Sequence, residues 1–172
     1  MKKLSVLACF LIPFFASANE DTQQCQINKY NQYIDTSIVW YQDLSALTSK
    51  QYPDLTEVSQ WFLKERKNHF DLNREAVAYY LKNDPSKVDT DRDVESWLKL
   101  SQEDIKTLSS RTDVLGEKAK LTFDDRQSKP HEKNYELRSA FAELLSNPSH
   151  IQPALEKYNV SMQNVDALKC KK

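Results

Sequence analysis

Beyond residue 20, apolar positions recur at three- and four-residue intervals, and no stretch keeps the strict alternation of a half-buried strand. No Asn-Gly or Asp-Gly pair marks a hairpin turn. The pattern predicts an all-α fold. Ile27, Tyr30, Ile34, Ile38, Tyr41, Leu44 and Leu47 mark one face of a first helix over about residues 22–48, followed by a turn at 49–53. Asp54 then stands at the N-cap position of a second helix, with Glu57 at the reciprocal site of a capping box. Its stripe is Leu55, Val58, Phe62, Leu72, Ala76 and Tyr79, and Asp84-Pro85 stops it near Asn83.

Thr90 and Asp93 open a third predicted helix, whose stripe of Val94, Leu98, Ile105, Leu108, Leu115 and Ala119 carries it to about Arg126. Ser109-Ser110-Arg111-Thr112 and Gly116 are poor helix formers, so a kink or break is expected there. Pro130 starts a fourth helix with Leu137, Phe141, Leu144 and Leu145 on its inner face, ended by Asn147-Pro148. Short helices over 153–158 and 161–168 complete the tail. The short connections favour antiparallel neighbours, hence an up-down antiparallel bundle of about four long helices with short C-terminal helices.

The front of the chain has a different character. Lys2 and Lys3 precede an apolar run from Leu4 to Phe15 and the small residues Ala16-Ser17-Ala18, which is the order of a secretory signal peptide. Residues 1–18 are therefore expected to be removed, leaving 19–172 as one helical domain in the periplasm or outside the cell. The run is shorter than the ~20 apolar residues of a spanning helix, so no stable membrane insertion is expected. Lipidation at Cys9 is disfavoured because the apolar run continues past it.

Loss of residues 1–18 removes two lysines and no acids, so 22 basic against 25 acidic residues give the mature chain a formal charge of −3. No basic stripe suited to nucleic acid emerges. Residues 154–165 have a superficial helix-turn-helix look, but no arginine follows on the second helix. Cleavage also leaves two cysteines, Cys25 and Cys170, one near each end. In an oxidising compartment they are expected to form one bridge that clips the termini together, the alternatives being an intermolecular bridge in a homodimer and a metal pair, which no CxxC or nearby histidine supports.

A single glycine, Gly116, excludes glycine-rich phosphate cradles, dinucleotide fingerprints and nucleophile elbows. Serines lack a recognisable base and oxyanion context, and His131 with Glu132 and Glu136 reads as a solvated first turn, so an enzyme is disfavoured. Glu65 and His69, four residues apart and in phase with Phe62 and Leu72, are weak candidates for an inward-facing metal pair. A di-iron set is missing, the acids Asp89, Asp91 and Asp93 lack the rest of a calcium loop, and no Cys-x-x-Cys-His attaches haem. No cofactor is expected. Those three acids are expected instead to favour the positive end of the third helix's dipole.

Three tryptophans and eight tyrosines carry the remaining signal, because these are the residue types enriched at protein-binding hot spots. Trp40 and Trp61 fall at similar heights in the predicted hairpin, with Tyr52 in its turn. These three are the candidate partner-binding residues, in preference to the Glu65 and His69 level. The expected function is an exported, non-enzymatic protein-binding module, such as an inhibitor or a toxin-neutralising immunity protein, whose partner is another exported protein. Alternatives are a chaperone-like or stress factor and a metal- or haem-binding four-helix bundle. The words Gln60-Trp61-Phe62-Leu63-Lys64-Glu65-Arg66 resemble the Gln/Trp/Arg helix of the small periplasmic domain named after lysozyme-inhibiting lipoproteins. The resemblance covers this helix alone, with different spacing and without that family's following cysteine, and implies no fold or site residue here.

Overall fold

A computed structural model describes residues 15–170, with side chains from Glu20 onward. The expected leader, residues 1–18, lies outside the described residues except for the backbone of its last four, which begins the first helix. Among the described residues the fold is all-α: α1 (Phe15–Gln51), α2 (Thr56–Asn83), α3 (Gln102–Leu108), α4 (Val114–Gln127), α5 (Asn134–Ser146) and α6 (Pro148–Ala167). None of these helices is long and apolar enough to cross a membrane.

The stripes in α1 and α2 face each other as the spacing predicts. Tyr30, Ile34 and Leu44 of α1 and Val58, Leu72 and Ala76 of α2 are buried, and Tyr41 meets the edge of Phe62 at 5.8 Å between ring centroids. Ser45 Oγ donates to the Ser59 carbonyl (3.1 Å) and Arg74 reaches Asp35 (2.6 Å), so successive pairs run in opposite senses along the two helices. The helices are antiparallel. The turn between them differs in detail from the sequence reading: Pro53–Leu55 forms a 3-10 turn, and no side chain caps α2. Asp54 pairs with Lys133 (3.6 Å) and Glu57 lies 3.9 Å from His131, so both acids serve the junction with α5 rather than a capping box.

The long third helix does not form. Residues 88–101 are mostly irregular, with a 3-10 turn at Val94–Ser96, and no helix dipole lies beside Asp89, Asp91 and Asp93; Asp89 instead pairs with Arg92 at 2.8 Å. Val94, Trp97 and Leu98 are buried all the same, with Trp97 stacked on Tyr30 at 5.9 Å and its indole N–H donating to the Arg92 carbonyl. Spacings of three and four satisfy a folded-back loop as well as a helix. The helix proper starts at Ser101, whose hydroxyl accepts from the Asp104 N–H while the Asp104 carboxylate accepts from the Ser101 N–H, a complete capping box. The expected break at 109–113 is present, and Asp113 caps α4 through the Gly116 N–H.

Gly116 is not the site of the break. It sits in the first turn of α4, where an added Cβ would lie 2.6 Å from the carbonyl carbon and 2.7 Å from the Cβ of Arg111. Close approach of the Arg111 backbone requires glycine here. That backbone is fixed from its side-chain end, because the Arg111 guanidinium lies 4.3 Å from the Tyr79 ring centroid and forks onto Asp113.

The tail also differs from expectation. α6 is one helix through Pro153 and Asn159, not two short ones, and it lies antiparallel along α1 from Lys157–Asp43 (2.7 Å) to Lys29 Nζ, which donates to the Leu168 carbonyl (3.0 Å). Pro153 removes one intrahelical bond, but Ile151, Met162 and Val165 are buried and offset that loss. The fourth predicted helix, α5, is short and crosses the hairpin end, where Leu137 and Ala140 pack with Leu55 and Val58. Its Leu145, expected in the core, is 53% exposed. A Cys25–Cys170 disulfide then ties the chain after α6 to α1.

Two stability tests follow from this packing. Gly116→Ala is expected to destabilise by about 1–3 kcal/mol despite alanine's higher helix propensity, read as a lower urea midpoint, because the Arg111 backbone must shift. For the bridge, a sequence separation of 145 residues makes the loop-entropy contribution about 5 kcal/mol at most. The Cys25→Ser/Cys170→Ser double variant should lose about 2–5 kcal/mol while its far-ultraviolet circular dichroism stays helical.

Candidate functional site

The face of α2 turned away from α1 meets α4 only along its second half. Asn68 Nδ2 donates to Asp125 (2.8 Å), Thr122 Oγ1 donates to the Asn68 carbonyl (3.2 Å), and Lys118 approaches Asp71 (3.9 Å). α4 ends at Gln127, and the chain drops to the hairpin end before α5 begins. The separation of α4 from α5 leaves a cleft of about 570 Å³ over the first half of α2. Trp61 and Phe62 of α2 and Phe141 of α5 give it an aromatic lining, with Phe62 against the edge of Phe141 at 5.1 Å.

The polar part of the lining is dominated by arginine. Arg66 enters from α2, Arg126 from α4 and Arg138 from α5. The chain contains six arginines, and the other three, Arg74, Arg92 and Arg111, each hold an aspartate. The three in the cleft hold none among the described residues. Arg66 is positioned by aromatic faces instead, its guanidinium carbon 5.0 Å from the Phe62 centroid and 5.6 Å from that of Tyr41. Arg126 donates to Gln102 Oε1 at 3.2 Å, and burial together with Arg66 lowers its pKa.

Glu65 and His69 open onto this same cleft, so Trp61 shares their level rather than standing apart from it. Burial, with Asp125 nearby, raises the Glu65 pKa. Burial and then Arg126 and Arg66 hold His69 at about 4, and Asn73 Nδ2 lies 3.3 Å from its Nε2. The imidazole is therefore neutral under ordinary conditions, in a positive field. That field opposes a metal cation, and no group of three or more His, Cys, Asp or Glu among the described residues is placed to hold one.

The other two aromatics chosen from the sequence lie elsewhere. Trp40 packs on Tyr158 of α6 at 5.4 Å, on the side of α1 that carries the Asp43–Lys157 pair. Tyr52 lies between the two sides, against the clusters around Leu55 and Leu144, and a hydrogen bond with Glu143 raises its phenol pKa. Tyr52 thus shares one cluster with Trp61 and another with Trp40, while only Trp61 of the three lines the cleft. The arginines were the residues missed. Their helical phase was available, since Arg66 follows Phe62 by four, Arg126 follows Thr122 by four and Arg138 precedes Phe141 by three.

The neutral His69 gives a pH signature. An unfolded chain takes up this proton near the ordinary value of 6.5, whereas the folded chain waits until about 4. Between those values the unfolded state binds more protons, so this contribution to stability is full above about 6.5 and is lost as pH falls towards 4. Glu65, with a raised pKa, acts in the opposite sense. His69→Gln should therefore flatten the fall in urea midpoint between pH 7 and pH 4.5, and Glu65→Gln should steepen it. No family model, curated protein or solved structure matches this chain, so the chemistry of the cleft itself carries the functional reading.

Proposed function

We propose that this chain is an exported, non-catalytic protein-binding module of the inhibitor or immunity type, and that its partner docks at the cleft between α2, α4 and α5. The observation that carries the reading is the set of three arginines without carboxylate partners beside a partly exposed tryptophan. Arginine and tryptophan are the side chains that most often dominate binding energy, since each presents a large, stiff contact surface with a directional polar group. A catalytic reading would need a nucleophile held against a base, and His69 faces an asparagine and arginines.

Export is supported by the basic, apolar and small-residue order of residues 2–18 and by the disulfide, which persists in oxidising compartments. The reading therefore places the partner among exported or cell-surface proteins.

Capture from an exported-protein fraction, with the disulfide intact, tests it. The wild type and a Leu155→Ser control on the exposed part of α6 should retain the same partner, identified by mass spectrometry. Trp61→Ala should weaken that complex by about 2 kcal/mol without loss of helix content. Capture that survives Trp61→Ala and disappears with Leu155→Ser would move the partner surface to α6 and sink the proposal.

A further inference from the structure

The charge inventory of the cleft goes one step further and specifies what the partner presents. We propose that Arg66, Arg126 and Arg138 form a receptor for a single carboxylate carried by an apolar peptide segment of the partner, the acid seated on the guanidinium groups and its neighbours on Trp61 and Phe141. The inference rests on the protein-binding reading above and names the chemistry of that same site.

The first argument is the distribution of ion pairs. Acids outnumber bases in this chain, 25 to 24, and every arginine outside the cleft has found one. Inside it, Glu65 and Asp125 are available, yet neither comes within ion-pair distance of an arginine; Asp125 accepts from Asn68 instead. Arginines from three different helices thus line one opening without a carboxylate, and Arg126 spends one N–H on Gln102. A planar carboxylate matches a guanidinium fork in two parallel hydrogen bonds, which a lysine cannot reproduce.

The second argument is the charge balance. Three arginines against Glu65 and Asp125, with His69 neutral, leave the cleft a formal surplus of one positive charge. One carboxylate cancels that surplus. A phosphate dianion would leave the site net negative beside two acids, so the same inventory disfavours a phosphorylated ligand.

The third argument is the cleft's shape and lining. About 570 Å³ is within the range of sites that enclose a small organic ligand or a few residues, and too large for an isolated carboxylate. Trp61, Phe62 and Phe141 supply the apolar part, so the acid must come with an apolar neighbour. Arg66 is already stacked on Phe62 and Tyr41, which limits the rotamer freedom lost when it binds.

Nuclear magnetic resonance titration of the intact oxidised protein tests this directly. The probes are a capped tetrapeptide with one glutamate among apolar residues, its glutamine counterpart, and inorganic phosphate. The glutamate peptide should shift the Trp61 indole and the arginine Nε signals, and should bind about tenfold more tightly than the glutamine peptide. Arg66→Gln/Arg126→Gln should abolish that difference and leave the glutamine peptide unchanged, while Glu65→Gln should tighten the glutamate peptide. Equal affinity for the two peptides, a tighter phosphate complex, or a preference that survives loss of both arginines would each overturn the inference. The outcomes are separable from the broader reading: a partner released by Trp61→Ala but indifferent to Arg66→Gln/Arg126→Gln retains the docking site and removes only the carboxylate.

Discussion

The close pairing of α1 with α2 is the constraint on which the remaining packing depends. Its contact zone contains Ser37, Ser45, Thr48 and Ser59, all buried, among the larger Ile34, Leu44 and Val58. Small side chains let two long helices approach closely. Their hydroxyls are largely satisfied within the pair, Thr48 Oγ1 donating to the Leu44 carbonyl (2.9 Å) and Ser45 Oγ to that of Ser59 (3.1 Å). Among the described residues, only the Ser59 hydroxyl is a buried side-chain polar group without a partner. With this pair in place, α4 docks on one side along α2 and α6 on the other along α1, and the disulfide fixes the far end of the second contact.

Those two docking events explain what the sequence could and could not convey. A helix that packs along its whole length leaves a stripe, and the stripes of α1 and α2 were legible residue by residue. Val94, Trp97 and Leu98 carried the same spacing without being helical, because a loop folded onto Tyr30 buries every third or fourth residue too. Capping residues alone did not discriminate either, since Thr90 with Asp93 opens no α-helix and no side chain caps α2. The caps that form are at Ser101 with Asp104 and at Asp113 with the Gly116 N–H, each spanning three residues. At α6 the error ran the other way: Pro153 and Asn159 look like punctuation, but burial of Ile151 and Met162 against the α1 side outweighs one missing backbone bond.

The candidate site was half legible for a related reason. Phase alone put Glu65 and His69 on the same side as Phe62, and they do line one cleft with Trp61. What governs their chemistry comes partly from elsewhere in the chain: burial comes first for both, and then Arg126 for His69 and Asp125 for Glu65, both on α4 and more than fifty residues further along. Sequence spacing cannot report a field imposed across helices. An imidazole beside a glutamate suggests a metal or proton site, whereas the same imidazole, buried near two guanidinium groups, is kept neutral, and those guanidinium charges oppose a cation.

The geometry of chain reversal decides that this field remains available. Were α4 two turns longer, it would extend over the first half of α2, where Arg66 lies. Instead α4 ends at Gln127, with Ser128 Oγ donating to the Asp125 carbonyl, and the following residues descend to Lys133, which is anchored on Asp54. α5 then returns only as far as Phe141 and Leu144, packing beneath the cleft without closing it. Six arginines in an acidic chain would ordinarily all find carboxylates at the surface, where such pairs contribute about 0–1 kcal/mol and form readily. Three do so. The other three have no carboxylate partner among the described residues: Arg66 lies over aromatic rings and Arg126 gives one N–H to Gln102, so most of their hydrogen-bonding capacity is not used within the fold. On the proposed reading, it is this unused capacity that an external carboxylate would meet at the opening.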